Sequence, residues 1–164
     1  MAKGAGHTLL ILRHAHRSLS HPGLDNGLSA KGREQARLIL KLFKSFFGRP
    51  SNTLLLSSPK KRCLETLRPI AKLTGVRMGT DDRLLEQRPA ETHNQFEDRV
   101  RRFINEQRKA ASPLTVVCSH GDWVPVALRL ATGGRMRLKK GGWAQVEFEK
   151  GAAPRLSWLL QKLD

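Results

Sequence analysis

Residues Leu12–Ser20 read LRHAHRSLS and follow the apolar run Leu9–Ile11. Two histidines and two arginines are thus crowded against the end of a hydrophobic segment. Imidazole can serve as nucleophile, proton carrier or metal ligand near neutral pH. An arginine fork holds planar oxyanions through two parallel hydrogen bonds. Three readings follow for this stretch: a phosphate trap, a metal site, or a solvated basic loop. Similar polar groups recur after two other apolar runs, as Ser57-Ser58 with Arg62 close behind, and as Ser119-His120 followed by Asp122.

The elements needed to gather these groups can be read from the pattern. Thr8–Leu12, Thr53–Leu56 and Leu114–Cys118 are short, continuously apolar runs. Strands buried on both faces look like this, as in a parallel sheet. Helical spacing lies between them. Ser29 is placed to cap a helix to about Phe47, with Leu38, Leu42, Phe43 and Phe46 facing inward. Ser58-Pro59 has the form of a helix start, with serine as the cap and proline in the first turn. Leu64, Leu67, Ile70, Ala71 and Leu73 continue it, and Gly75 ends it. A third helix is expected from about Thr92 to Ala111, with Phe96, Val100 and Phe103 inward. Asp122 is placed to cap a fourth, ending near Gly133. Trp143–Phe148 and Arg155–Leu160 alternate more and are separated by Gly151 and Pro154, which predicts a C-terminal hairpin at a sheet edge. This βαβα order implies a three-layer α/β/α fold with a mostly parallel central sheet.

That fold makes a geometric prediction. Ligands of open α/β sheets bind beyond the carboxyl ends of the strands. Arg13-His14, Ser57-Ser58 and Ser119-His120 each follow such an end, and Arg62 is close enough to join them. Helix N-termini at Ser58 and Asp122 would add backbone N–H groups. Together these groups form an anion pocket.

The length, 164 residues, suits one domain spanning 1–164. Cys63 and Cys118 lack metal-ligand or redox-motif spacing, which points to a reducing, cytoplasmic setting. The opening MAKGAGH lacks the apolar stretch of a signal peptide, and no run is long enough to span a bilayer. The net charge of +16 attracts anions at long range without choosing among them. The aromatic content is only 5% and no nucleic-acid recognition motif is present, so binding to nucleic acid is disfavoured.

Leu12-Arg13-His14-Ala15 resembles the Arg-His-Gly signature of the histidine phosphatase superfamily, the phosphoglycerate mutase-like proteins. GLSAKGREQAR (27–37), LLSSPKKRCLET (55–66) and VVCSHGDWVPVAL (116–128) resemble its later segments in order, and KKGGWAQVEFEKG resembles the tail of short phosphohistidine phosphatases of the SixA type. The resemblance implies a phosphoglycerate mutase-like fold. It implies His14 as a nucleophile that carries the phosphoryl group, Arg13 and Arg62 as phosphate clamps, and His120 as the second pocket histidine. Arg17 matches a further phosphate contact in the acid phosphatase branch. For the general acid, Glu86 and Asp122 both lie near family positions, and Glu86 is favoured. No cofactor is implied, because the arginines supply the positive charge. Ala15 departs from the signature glycine.

The bland readings are concrete. Glu86 could be a surface carboxylate paired with Arg83 or Arg88. His14 and His16 could begin a metal site with His21, Asp25 or His120, though adjacent arginines would repel the ion. His7, His21 and His93 are expected to be solvated, as are the clusters Arg99/Arg101/Arg102 and Arg135/Arg137/Lys139/Lys140. The Trp residues at 123, 143 and 158 fall in core-like patterns, and Cys118 reads as a small apolar core residue. The expected activity is a metal-independent phosphatase. The segment from Glu86 to Thr92 leaves little chain for a lid, which favours a phosphohistidine on a partner protein, with the positive charge aiding capture of an acidic one. Small phosphomonoesters are the runner-up. A phosphate-recognising module whose Ala15 has ended catalysis is the third reading. The sequence does not fix an oligomeric state.

Overall fold

In the computed structural model, residues 6–163 are described. The start MAKGA, part of the segment read above for a leader, lies outside them, and so does Asp164. Six strands form one sheet in the order β3-β2-β4-β1-β5-β6. They are β1 (His7–Arg13), β2 (Thr53–Ser57), β3 (Met78–Thr80), β4 (Leu114–Ser119), β5 (Trp143–Phe148) and β6 (Arg155–Leu160). Strands β1 to β4 pair in parallel, while β5 and β6 form the antiparallel edge hairpin. Four helices cover the faces: α1 (Ala30–Phe47), α2 (Lys61–Thr74), α3 (His93–Gln107) and α4 (Trp123–Thr132). This is the three-layer α/β/α architecture, with β3 and a 3-10 turn at Asp82–Leu84 added to the expected elements.

Strand alternation divides the core in two. Leu9, Ile11 and Val117 face Phe96, Val100, Phe103 and Trp123 on one side. Leu10, Leu12, Val116 and Cys118 face Ile39, Phe43, Leu67 and Ile70 on the other. Successive strand residues point to opposite faces, so a two-sided core demands unbroken apolar runs.

Several local expectations are corrected. Ser58 does not cap a helix: α2 begins at Lys61, its cap position is Lys60, whose own side chain makes no cap bond, and it is the Asp25 carboxylate that accepts from Lys61 N. The hydroxyl of Ser58 is used in the site instead. On α1 the buried stripe is Gly32, Gln35, Ala36, Ile39 and Phe43. Leu38 and Leu42 are only half-buried, and Phe46 is 45% exposed, lying across Trp158 at 4.8 Å. Helix α3 stops at Gln107, short of Ala111, although Thr92 caps it through a full capping box. His7 is buried rather than solvated, with Nδ1 2.6 Å from the carbonyl of Ser112.

The topology places the site. Strand β1 leads through α1, on one face, to β2. Its neighbour β4 leads through α4, on the opposite face, to β5. The chain therefore diverges between β1 and β4, the switch point at which open α/β sheets leave a crevice. Pairing Arg13 with Ser119 puts His14 and His120 at the lips of that crevice.

Candidate active site

The strand ends are locked together by backbone bonds that run past the sheet. His14 N donates to Ser119 O, and Ser58 N donates to Cys118 O, both at 3.0 Å. His14, Ser58 and His120 thus meet although up to 106 residues separate them in sequence. The rings of His14 and His120 lie 5.5 Å apart, edge to face.

His14 is 6% exposed. Its Nδ1 lies 2.8 Å from the Ala15 carbonyl. A carbonyl only accepts, so Nδ1 carries the proton and Nε2 holds the lone pair. Nε2 has no hydrogen-bond partner among the described residues, yet it is not sealed from solvent. Burial, followed by the positive surroundings of His120, Arg62 and Arg13, pushes the pKa of His14 down to about 3. The ring is therefore neutral at physiological pH, which is the nucleophilic form.

Arg62 is 4% exposed and joins most of the cluster. Its Nη2 donates to Nδ1 of His120 at 3.1 Å and to both oxygens of Glu86 at 2.9 and 3.0 Å. Nη1 lies 3.7 Å from Asp25. Its Nε is buried without a partner, and so is Nε of Arg13. A buried donor left unpaired is costly. Arg13 Nη1 donates to Leu138 O, and its guanidinium lies flat against Gly121. A Cβ at position 121 would sit 2.7 Å from that group, so any larger residue there displaces the guanidinium. His120 Nε2 meets the hydroxyl of Ser58 at 2.8 Å, and Cys63 lies behind it with Sγ at 3.7 Å.

Glu86 belongs to this cluster rather than to the surface. Arg83 pairs with Asp81 and Glu106 instead. Burial alone would raise the Glu86 carboxyl, but His120 and Arg62 outweigh it and hold it below its usual range. Asp122 is engaged elsewhere. Its Oδ1 accepts from Trp123 N and its Oδ2 from Gln87 N, both at 2.8 Å. It caps α4 and anchors the residue next to Glu86. Arg17 lies on the loop after His14: its backbone bridges Leu28, its guanidinium makes no hydrogen bond or ion pair among the described residues, and its charge is close enough to act on Lys140.

Ala15 fits without strain. No non-glycine residue among those described has positive φ, and Ala15 packs against Leu28 and Ala36. Its N–H donates to Thr66 Oγ1, which in turn donates to Arg62 O. That chain ties the His14 turn to the helix carrying Arg62.

Sequence reasoning missed Ser58 as a partner of His120, Asp25 beside Arg62, Thr66 as the tie, and Arg99. Arg99 is buried, not solvated. It donates to the carbonyls of Arg83, Leu85 and Glu86 and grips Glu91 with two bonds. Among the described residues there is no group of three or more His, Cys, Asp or Glu placed to hold a metal. His16, the second histidine of the pair read as possible ligands, bonds Ser29.

The profile of the histidine phosphatase superfamily (branch 1) matches residues 9–89, a span that holds His14, Arg62 and Glu86. An Escherichia coli protein assigned as an alpha-ribazole-5'-P phosphatase superposes with a TM-score of 0.77 at 18% identity, over 95% of this chain and 96% of that one. A mycobacterial glucosyl-3-phosphoglycerate phosphatase gives 0.75 at 18% identity, over 96% and 100%. A protein from Agrobacterium tumefaciens assigned as the phosphohistidine phosphatase SixA gives 0.72 at 20% identity, over 95% and 98%. These likenesses establish the fold. No curated protein sequence matches the chain. No helix among the described residues is long and apolar enough to cross a membrane.

Proposed function

The chain belongs to the histidine phosphatase superfamily, and we propose that it is a metal-independent phosphatase, one catalytic domain acting through a phosphohistidine on His14. The observation that carries this reading is the unpartnered Nε2 of a neutral His14 beside the Arg62–His120 pair at the β1/β4 switch point.

The steps follow from the geometry. A phosphate enters the crevice beside Arg13 and Arg62, whose guanidinium charges hold its oxygens. Nε2 of His14 attacks phosphorus, and the bond to the leaving group breaks with its electron pair going to that group. The developing equatorial charge is met by fixed cations, which need no reorganisation. Glu86 is placed to give the leaving group a proton. Water then attacks phosphorus, the P–N bond breaks, and its pair returns to Nε2. Glu86 takes up the proton of the water.

The substrate class is read from Glu86. Held as a carboxylate by His120 and by its ion pair with Arg62, it is a weak acid catalyst until a bound anion offsets the Arg62 charge. A substrate with a good leaving group needs that proton least. The imidazole of a phosphohistidine, already protonated on its other ring nitrogen, leaves as a neutral ring without a proton from Glu86, so the favoured substrate is a phosphohistidine on a partner protein. Glu86 is also half-exposed, which leaves the crevice open to a displayed side chain. The free, buried thiols of Cys63 and Cys118 suit a reducing, cytoplasmic setting.

The test is phosphate release by the intact chain and by His14→Ala. The variant is expected to lose at least about a thousandfold of the rate, as removal of a covalent nucleophile does. Full activity in His14→Ala would sink the reading. Release from small phosphomonoesters but not from a phosphohistidine protein would overturn the substrate assignment alone.

A further inference from the structure

Beside Arg13 lies a second cationic feature, whose lysines the mechanism does not use. A cavity of about 330 Å³ is lined by Arg13, His16, Lys31, Lys139, Lys140 and Lys162, with Gln35 and Leu163 completing it. No carboxylate among the described residues lines it. The turn carrying the lysine pair is fastened to the catalytic strand end: Gly141 N donates to the carbonyls of Arg13 and His14, at 3.1 and 3.2 Å. Gln35, buried on α1, holds the opposite wall by accepting from His16 N at 2.9 Å and donating to Lys140 O at 3.4 Å. The backbone that carries Lys139 and Lys140 is therefore tied to the strand end that carries His14.

We propose that this cavity receives acidic side chains that flank the phosphorylated residue on a partner protein. The inference rests on the phosphohistidine-protein reading above and names what that protein must carry. The cavity has the wrong make-up for a small-molecule site, which is mostly apolar with a few fixed polar groups. Here Leu163 is the one apolar lining residue. Apart from Arg13, its charges are lysine ammoniums, point charges on flexible stems that read charge rather than shape. Carboxylates borne on a mobile chain suit such a surface. The cations also repel one another: burial, then Arg13, Arg17 and Lys31, lower the pKa of Lys140. Burial, then Lys140 and Lys31, lower that of His16. A bound carboxylate relieves both.

The test uses two phosphohistidine peptides, one with glutamates on both sides of the histidine and one with glutamines. The full chain is expected to turn over the acidic peptide with a kcat/KM about tenfold higher at low salt, three exposed charge pairs together. In the combined variant Lys31→Gln, Lys139→Gln, Lys140→Gln, that ratio is expected to fall close to one. No preference in the unmodified chain, or a preference that survives in the variant, overturns the proposal. Binding of the unphosphorylated acidic peptide to the His14→Ala chain, read by fluorescence anisotropy, separates this outcome from failure of the phosphatase reading. Lysine-dependent binding with no turnover of any phosphate compound supports the cavity and sinks the enzyme. Lysine-dependent binding of tripolyphosphate, with acidic and neutral peptides bound equally, assigns the cavity to a small polyanion and overturns the proposal.

Discussion

His14 donates Nδ1–H to the adjacent carbonyl, so its chemistry is confined to Nε2, and its acid–base behaviour can be followed in stability. The unfolded chain protonates this histidine near 6.5, while the folded chain does so only near 3. Between those values the unfolded state binds the extra proton, so stability falls as pH drops through that window and is fully present above it. His14→Asn should remove this part of the acid dependence, which urea midpoints at pH 7 and pH 4 will show as a smaller difference than in the unmodified chain. Glu86→Gln should slow alkyl phosphates by about a hundredfold or more, the usual worth of a general acid. It should slow phosphohistidine substrates much less, and a uniform effect on both would deny Glu86 that role. Ala15→Gly should leave turnover near normal. It should cost about 1 kcal/mol by denaturant titration, from the lost methyl and the looser backbone. The histidines and Arg62 were legible because each follows a strand end or opens a helix at a recognisable offset, whereas Glu86 was reached only through its resemblance to a family position. Ser58 was not, because Ser-Pro is also the mark of a helix cap, and only the distance to His120 separates the two uses.

The segment that presents Glu86 has no regular structure beyond its 3-10 turn, and Arg99 on α3 holds it by its carbonyls. Arg99→Met should therefore act in two ways. It takes from Glu91 its ion-pair partner and leaves that carboxylate only the backbone N–H of Arg88, a loss of about 3 kcal/mol. It also frees the carboxylate that faces Arg62, so kcat should fall more than KM changes. A stability loss with kcat untouched would make Arg99 purely structural. The strands β1, β2 and β4 could be read in advance because burial on both faces forces unbroken apolar runs. Strand β3 could not: its three residues at the sheet edge bury too little to leave a pattern. Arg99 sits among three arginines on α3, and nothing in that spacing distinguishes the inward one. Phe46 was misplaced for a related reason. Helical periodicity allows for one wide apolar stripe, but here its flank packs on Trp158 from outside.

The molecule carries a net charge of +16, while its carboxylates are largely engaged in local pairs such as Asp81–Arg83, Glu91–Arg99 and Glu97–Arg129. The resulting positive field extends about 10 Å at moderate salt and is screened beyond that. Association with an acidic phosphoprotein should therefore weaken steeply between low and high ionic strength, whereas turnover of a small aryl phosphate should change little. Stopped-flow binding and steady-state rates across a salt series will check the difference. The most direct measurement of the chemistry is a rapid-quench experiment with a radiolabelled phosphoryl donor. It should trap an acid-labile, alkali-stable phosphoenzyme whose label maps to His14 and is missing from His14→Asn. Phosphate released in a single turnover without such a phosphoenzyme, or label carried by another residue such as Cys63, would refute the mechanism.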